Sequence, residues 1–263
     1  MDLTSEPSVD VEAVARVLDD AHLARQVLAV HDVAVGDLST AYDVQRALTA
    51  RRLSRGDRRV GWKLGYTSAV MREQMGVAEP NLGPLLASMV LESEVLGAGV
   101  TQPRVEPEIA LVLARDPGVG AGVDGVLAAT ASAHAALEVV DSVWRDYVFD
   151  LVHNTADGSS AAGVVLGGAL PLDDLADLDV DLELDGTVVG SGAGRDAGGH
   201  PAAGVAWLVD RLAERGEALR SGDIVITGGL TAAVPLAPGS LVRAVFRAQA
   251  TEVATATVRR ADP

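Results

Sequence analysis

From Val105 onward, the sequence breaks into short apolar runs of strand length that are separated by Gly, Asp-Gly or Pro. After strands predicted at 105–113 and 137–141, further runs occupy 163–168, 179–185, 187–191, 223–227, 241–247 and 251–259. Asp185-Gly186 lies between two of these runs and is a strong hairpin signal. So many breaks at such short intervals restrict this half of the chain to a sheet-rich body.

Helical periodicity is strongest before this region. Apolar residues recur at helical spacing within 9–29, and a second helix is predicted from Thr40, as its cap, to Ser54. Shorter helices are predicted at 68–75 and 124–136, and His200-Pro201 begins one that runs through Arg215. The pattern predicts an α+β fold with helices first and a β-rich core afterwards.

We divide the chain into an N-terminal helical segment, 1–57, and a β-rich catalytic domain, 58–263, that form one structural unit. A length of 263 residues is ample for a sizeable core. The start of the chain is acidic and lacks the apolar run of a signal peptide, so we expect a cytoplasmic protein.

Composition excludes several classes of function. The formal net charge is −16, which argues against nucleic acid and anionic membrane as partners, because both select clustered basic residues. The sequence has no cysteine, which excludes disulfides, thiolate nucleophiles, iron–sulfur clusters and Cys-bound zinc. Apolar stretches are also broken well before the ~20 residues of a membrane-spanning helix.

Lys63 is the single lysine among 21 basic residues. The remaining basic residues are arginines, whose planar fork cannot replace a compact ammonium group beside a reacting atom. Survival by chance on the surface is the alternative. The neighbouring sequence, 60–66, resembles a partly buried strand, which favours a functional role for Lys63.

Three glutamates form a candidate metal site. Glu106 and Glu108 are two apart in a predicted strand and therefore project from the same face, directly before the apolar run 109–113. Glu138 lies within a second apolar strand, where a carboxylate is costly unless it is paired or binds metal. An exposed edge pair and a salt bridge to arginine are the alternatives. Oxygen ligands without cysteine favour Mg²⁺ or Mn²⁺.

Two glycine-rich turns, 156–160 and 227–233, follow neither the Walker nor the dinucleotide-binding pattern. Each is either a simple connection or a source of backbone N–H and hydroxyl donors for a carboxylate.

Taken in order, the motifs of this chain resemble one enzyme family. They are Ala41-Tyr42-Asp43-Val44-Gln45, Gly61-Trp62-Lys63-Leu64-Gly65-Tyr66-Thr67-Ser68, Gln74-Met75-Gly76-Val77, Pro103-Arg104-Val105-Glu106-Pro107-Glu108-Ile109-Ala110, Leu137-Glu138-Val139-Val140-Asp141-Ser142, Gly199-His200-Pro201, Gly222-Asp223 and Thr227-Gly228-Gly229. The chain resembles the 2-oxopent-4-enoate hydratase / 4-oxalocrotonate decarboxylase family of the fumarylacetoacetate hydrolase-like superfamily. This resemblance implies a mixed β-roll or barrel-like core, bound Mg²⁺ or Mn²⁺, and a homo-oligomer.

The resemblance also implies roles for individual residues. The implied metal ligands are Glu106, Glu108 and Glu138; the implied catalytic residues are Lys63, Asp157 and Ser160; the implied substrate contacts are Leu64, Asn81 and Thr231. The turn that contains Asp157 has Gly158 where the family usually has asparagine. That departure affects the substrate contacts of the turn.

Asn81 favours one branch of the family. Hydratases of the family usually have an acid/base aspartate at this point, and an asparagine cannot exchange a proton at neutral pH. The segments 227–234 and 138–142 also resemble the decarboxylase branch. We therefore expect metal-dependent decarboxylation of 2-oxohex-3-enedioate (4-oxalocrotonate) to 2-hydroxypenta-2,4-dienoate, a step of meta-cleavage aromatic catabolism that needs no obligatory general base.

Three alternatives remain. The first is the hydratase, which adds water to a 2-hydroxydienoate and for which Asp157 is the candidate acid. The second is an acylpyruvate-type carbon–carbon hydrolase, which needs a base to activate water. The third is a non-catalytic subunit that stabilises a partner lyase, since hydratases and decarboxylases of the family are expected to associate.

Overall fold

The structure is a computed structural model that describes residues 9–69, 72–73, 76–91, 95–97 and 99–262. Two β-sheets form its core, and helices cover the core on the outside. Within the described residues the strands do not pair into one closed barrel. The α+β prediction with a mixed β-roll core is confirmed.

The first sheet contains seven strands and carries the candidate site. Its strands are β1 (Arg59–Gly65), β2 (Asn81–Leu86), β4 (Arg104–Leu113), β5 (Thr130–Val140), β6 (Ala161–Leu170), β9 (Ile224–Ile226) and β10 (Val234–Pro235). The order is β2-β1-β9-β4-β5-β6, with β10 paired to the start of β4. Strands β1 and β9 run parallel, whereas β4 is antiparallel to both β5 and β9.

The second sheet contains five strands in the order β3-β12-β11-β7-β8. They are β3 (Val95–Leu96), β7 (Asp179–Leu184), β8 (Thr187–Ala193), β11 (Leu241–Ala248) and β12 (Thr251–Arg260). Strands β7 and β8 form the hairpin predicted at Asp185-Gly186, and Asp185 has the positive φ of 50° that such a turn requires.

The two sheets pack against each other through an apolar layer. Strand β12 lies across β6, and at Gly167 the backbones approach so closely that a Cβ would overlap the carbonyl of Thr255. Fully buried residues from both sheets fill the layer, among them Leu137, Leu182 and Phe246. The glycine therefore sets the distance between the sheets.

Five helices of the described chain complete the fold: α1 (Val11–Ala24), α2 (Leu38–Ser54), α3 (Gly122–Ala129), α4 (Leu151–Ala156) and α5 (Pro201–Glu214). Helices α1, α2 and α4 share an apolar cluster that is centred on the fully buried Trp144. No helix in the described part of the chain is long and apolar enough to span a membrane.

Helix α5 begins as predicted. His200 is its N-cap, its Nδ1 accepts a hydrogen bond from the backbone N–H of Ala202 at 3.0 Å, and Pro201 occupies the first turn. Gly204 faces the sheet, where a Cβ would come within 2.8 Å of the Leu64 side chain. The missing side chain lets this helix lie close to β1.

Three local predictions are corrected. The helix expected over 124–136 ends at Ala129, and strand β5 begins at Thr130, because pairing with β4 and β6 outweighs the helix propensity of the small residues there. Helix α1 ends at Ala24 rather than 29. Asp37, not Thr40, caps α2 and accepts the Thr40 N–H at 2.8 Å. Part of the helix predicted over 68–75 lies outside the described residues.

Candidate active site

Three glutamates converge on the inner face of the first sheet. Glu106 on β4 lies directly opposite Glu138 on β5 in the antiparallel register, and Glu108 projects from the same face two residues later. One carboxylate oxygen from each lies within 4.8 Å of the others. Glu108 and Glu138 are fully buried. The spacing that the sequence indicated thus produces a compact cluster of three carboxylates.

Lys63 supplies the counter-charge. Its Nζ lies 2.9 Å from Oε2 of Glu138 and donates a hydrogen bond to the carbonyl of Ser159, also at 2.9 Å. Only 3% of the residue is exposed. The partner of Glu138 is therefore this lysine rather than an arginine, and the interpretation of Lys63 as a buried functional residue agrees with its position.

Burial and mutual repulsion dominate the electrostatics of the cluster. Burial, together with the charge of Glu138, raises the pKa of Glu106 to about 7 and the pKa of Glu108 well above its ordinary value. Burial alone would lower the pKa of Lys63, but the charges of Glu138, Glu106 and Glu108 outweigh it and raise that pKa. Ionisation of all three carboxylates beside one ammonium group would leave an excess of negative charge, which is why the pKa values of Glu106 and Glu108 are raised.

The donor set fits a hard divalent cation. Among the described residues, Oε1 of Glu108 and Oε1 of Glu138 are buried without a hydrogen-bond donor, and such atoms are costly unless something binds them. Oε2 of Glu108 is oriented by the backbone N–H of Gly228 at 2.7 Å. A side chain at Gly229 would overlap the Glu106 carboxylate. Gly228 and Gly229 of the 227–233 turn thus leave space around the carboxylates.

A cavity of about 170 Å³ opens above Lys63 and Glu106. The same cavity is lined by Leu64, Tyr66, Thr67, Arg104, Tyr147, Phe149, Asn154, Ser159, Ser160, Gly229 and Ala233, among others. The Arg104 guanidinium lies 4.0 Å from the centre of the Tyr147 ring, a cation–π geometry. One wall of the cavity is therefore cationic and aromatic, and the other carries hydroxyl and amide groups.

The turn after α4 holds Lys63 in place. Ser159 and Ser160 both have positive φ, 60° and 57°, a conformation that costs non-glycine residues roughly 1–3 kcal/mol each and that clusters at functional sites. The Ser159 carbonyl accepts the hydrogen bond from Lys63, and Ser160 Oγ accepts one from Asn154 Nδ2 at 3.1 Å. Both serines line the cavity.

Asp157 lies behind this turn rather than in the cavity. Its side chain is fully buried, Oδ1 lies 2.6 Å from Nε2 of His22, and Oδ2 accepts the Val143 N–H at 3.2 Å and the Ser160 hydroxyl at 3.4 Å. The structure therefore brings Asp157 to the cavity only through Ser160.

The predicted substrate contacts separate into two groups. Leu64 lines the cavity, as predicted for a contact residue. Asn81 is buried beside it, where Nδ2 donates to Asn154 Oδ1 at 3.0 Å and Oδ1 accepts the Ser159 hydroxyl at 3.1 Å. Thr231 packs against Gly190 of the second sheet and is absent from the lining residues. Substrate contact by these three residues stays a prediction.

Arg104, Tyr66, Tyr147 and Phe149 are cavity residues that the sequence analysis did not single out. Arg104 and Tyr66 lie inside motifs that were recognised, so their neighbours offered a signal. The two aromatic residues on the segment before α4 offered none, because their position depends on how that segment folds across β5.

A buried lysine beside three clustered carboxylates, at the base of a small cavity, is a candidate enzyme active centre, because ionisable groups with perturbed pKa values cluster at functional sites. The model of the fumarylacetoacetate (FAA) hydrolase C-terminal family matches residues 77–258. The chain belongs to the fumarylacetoacetate hydrolase family and, within it, to the group of 2-keto-4-pentenoate hydratases and 4-oxalocrotonate decarboxylases. The predicted resemblance is confirmed, and the chain is an enzyme of the lyase class.

Three relatives illustrate this membership. The 2-keto-4-pentenoate hydratase of Paraburkholderia phymatum is 40% identical over 230 residues, which are 84% of this chain and 87% of that one. The 4-oxalocrotonate decarboxylase of Pseudomonas sp. (strain CF600) is 39% identical over 233 residues, 83% and 88% of the two chains. The 4-oxalocrotonate decarboxylase from Pseudomonas putida G7, complexed with magnesium and adipate, superposes with a TM-score of 0.89 at 32% identity and covers 97% of this chain and 100% of that one.

Proposed function

We propose that the protein decarboxylates 2-oxohex-3-enedioate to 2-hydroxypenta-2,4-dienoate in the meta-cleavage catabolism of aromatic compounds. The observation that carries the proposal is the composition of the cavity. Among its described lining residues Glu106 is the only carboxylate, and it belongs to the glutamate cluster. Asn81 cannot exchange a proton and is held by Asn154 and Ser159. Cleavage of the C–C bond in a decarboxylation needs no proton transfer to carbon, whereas addition of water does.

The charge of the cavity suits a dicarboxylate. Lys63 lies at its base and Arg104 in its wall, and within the described residues no carboxylate pairs with the Arg104 guanidinium. The proposed substrate carries two carboxylates, whereas the hydratase substrate carries one. The Pseudomonas putida G7 relative is complexed with magnesium and with adipate, which is also a six-carbon dicarboxylate.

Glu106, Glu108 and Glu138 would hold Mg²⁺ or Mn²⁺. Bound there, the cation would supply Lewis-acid stabilisation to negative charge on the 2-oxo group. Lys63 adds a positive charge that is already oriented by Glu138 and by the Ser159 carbonyl before the substrate arrives. Tyr147 and Phe149 form the apolar wall that limits water around the reacting carbons.

The hydratase is the second candidate, because Ser160 connects the cavity to the buried carboxylate of Asp157. A two-substrate assay separates the candidates. Purified protein with Mg²⁺ receives 2-oxohex-3-enedioate or 2-hydroxypenta-2,4-dienoate, and CO₂ release and dienol absorbance are followed. We expect CO₂ from the first substrate and no consumption of the second. Consumption of the second without CO₂ from the first would establish the hydratase instead.

Two expectations about assembly belong to the same proposal. We propose a cytoplasmic homo-oligomer that associates with a partner hydratase of the same family. Sedimentation velocity of the purified chain, alone and mixed with a 2-keto-4-pentenoate hydratase, measures both. A monomer mass for the chain alone would contradict the homo-oligomer. Unchanged sedimentation of both proteins in the mixture would contradict their association.

A further inference from the structure

The Asp157 carboxylate separates two cavities. On one side Ser160 faces the active-site cavity, and on the other His22 faces a second, larger cavity of about 640 Å³. The His22 side chain is 22% exposed, whereas the Asp157 side chain between the two cavities is fully buried. The roles proposed above for the glutamate cluster and Lys63 do not involve this path through Asp157.

Neighbouring side chains along this path are in polar contact. Nε2 of His22 lies 2.6 Å from Oδ1 of Asp157, and the Ser160 hydroxyl donates to Oδ2 of the same carboxylate at 3.4 Å. Asn154 Nδ2 donates to Ser160 Oγ at 3.1 Å, which leaves the hydroxyl proton free to point either to Asp157 or into the cavity. The three side chains thus make a series of polar contacts between the two cavities, the longest of which is the 3.4 Å from Ser160 Oγ to Asp157 Oδ2.

The proposed reaction takes up one proton. Loss of CO₂ leaves its bonding electron pair on a dienolate, and the product 2-hydroxypenta-2,4-dienoate carries a proton on its 2-oxygen that the substrate did not bring. The described cavity residues include no carboxylic acid outside the glutamate cluster that could supply it. Solvent reached through the second cavity is a source to which the Asp157 path connects.

We propose that His22, Asp157 and Ser160 form a proton relay that supplies the dienolate from solvent, an inference that rests on the proposed function. The Ser160 hydroxyl gives its proton to the dienolate oxygen and receives one through Asp157 from the imidazolium of His22. His22 then recovers a proton from water in the second cavity. The sum is one proton from solvent to product, with the three side chains returned to their starting states.

His22 acts through Asp157 and is therefore a positioning and proton-supplying residue rather than a catalytic one. Other charged groups face it across the second cavity or through Asp157. They are Asp19, Arg52, Arg55, Asp57 and Asp141. Asp19 pairs with Arg55, and Asp57 accepts from Ser88. Arg52 interacts with the charge of Asp157, and His22 is the group of this set that contacts the Asp157 carboxylate at hydrogen-bond distance.

The test compares His22→Ala, His22→Gln and wild type in the presence of imidazole buffers. The alanine leaves space beside Asp157 that free imidazole can enter from the second cavity, whereas glutamine keeps an N–H donor that cannot relay protons. We expect kcat of both variants to fall roughly 10- to 100-fold, within reach of general acid–base effects. Imidazole should restore only the alanine variant, in proportion to its concentration, with a solvent deuterium isotope effect larger than that of wild type.

A matched control is His153→Gln. His153 Nδ1 lies 2.7 Å from Asp150 Oδ1, a similar pair whose carboxylate is largely exposed and does not reach the cavity. This variant should show no response to imidazole. Wild-type kcat in His22→Gln would show that the histidine only holds the turn and would overturn the relay, as would a His22→Ala variant that imidazole does not restore. An inactive wild type would instead overturn the proposed function.

Discussion

Lys63 and Glu138 make a buried ion pair of 2.9 Å although two strands, β9 and β4, separate their strands in the sheet. The pair is possible because β9 ends at Ile226, opposite Lys63 and Ala110, and does not extend between Lys63 and the part of β4 and β5 that carries Glu106 and Glu138. The ion pair thus ties β1 to the antiparallel pair of β4 and β5. It also places a positive charge at one side of the glutamate cluster.

Replacement of Lys63 by Met should abolish turnover while the fold is retained. Methionine has a similar length but no charge, so the active site loses a preoriented cation, and losses of about 10²–10³-fold in kcat are typical for such groups. Steady-state kinetics with circular dichroism measure both parts. Lys63→Arg is the informative control, and we expect it to be inactive as well, because a planar guanidinium does not reproduce the compact charge that Lys63 places at Glu138 and the Ser159 carbonyl. Wild-type turnover in Lys63→Met would refute the assignment of Lys63.

Replacement of Glu138 by Gln should remove metal binding as well as turnover. At a Mn²⁺ concentration about 100 times its Kd, binding adds roughly 2.7 kcal/mol of stability, which is about 5–10 °C in Tm for a chain of this size. Wild type should show this increase and Glu138→Gln should not. Glu252→Gln on the exposed face of β12 is the control and should behave as wild type. An equal Mn²⁺ shift in Glu138→Gln would remove Glu138 from the metal site.

Gly229→Ala should weaken metal binding without unfolding the chain. The added methyl group would overlap the carboxylate of Glu106 and displace it from the cluster. We expect at least a 10-fold increase in the Kd for Mn²⁺, measured by isothermal titration calorimetry. Gly97→Ala is a matched control, because a Cβ at Gly97 meets no atom of the described residues within 4 Å. Unchanged affinity in Gly229→Ala would mean that Glu106 does not ligate the ion.

Stability should fall below about pH 6.5 partly through His200. Burial lowers the pKa of this imidazole, and its Nδ1 must stay unprotonated to accept the Ala202 N–H. A lowered pKa in the folded state adds stability above the unfolded value of about 6.5 and loses it as the pH falls through the folded value. His200→Asn keeps a capping acceptor that does not titrate. Urea midpoints at pH 7.5 and 5.5 should therefore differ less in this variant than in wild type, and equal differences would contradict the account.

Much of the site was predictable because its residues fall in short, ordered motifs. The two-residue spacing of Glu106 and Glu108 fixes a common face on any strand, and the apolar run after them places that face in the core. The surroundings were less predictable. Strand β5 begins seven residues before its expected start at 137, because Thr130 to Ala136 are mostly small residues whose conformation is decided by pairing with β4 and β6. Tyr147 and the link from His22 to Asp157 depend on tertiary packing alone.

The most direct test is to follow CO₂ release from 2-oxohex-3-enedioate while metal-free protein is titrated with Mn²⁺ and bound metal is measured in the same sample. The account predicts no release without metal and a rate that rises in step with occupancy, with saturation at one ion per chain. Removal of the metal with a chelator should stop the release of CO₂. Release that does not depend on metal, or Mn²⁺ binding at one ion per chain without any release, would contradict the assignment of the three glutamates and Lys63 to a decarboxylase centre.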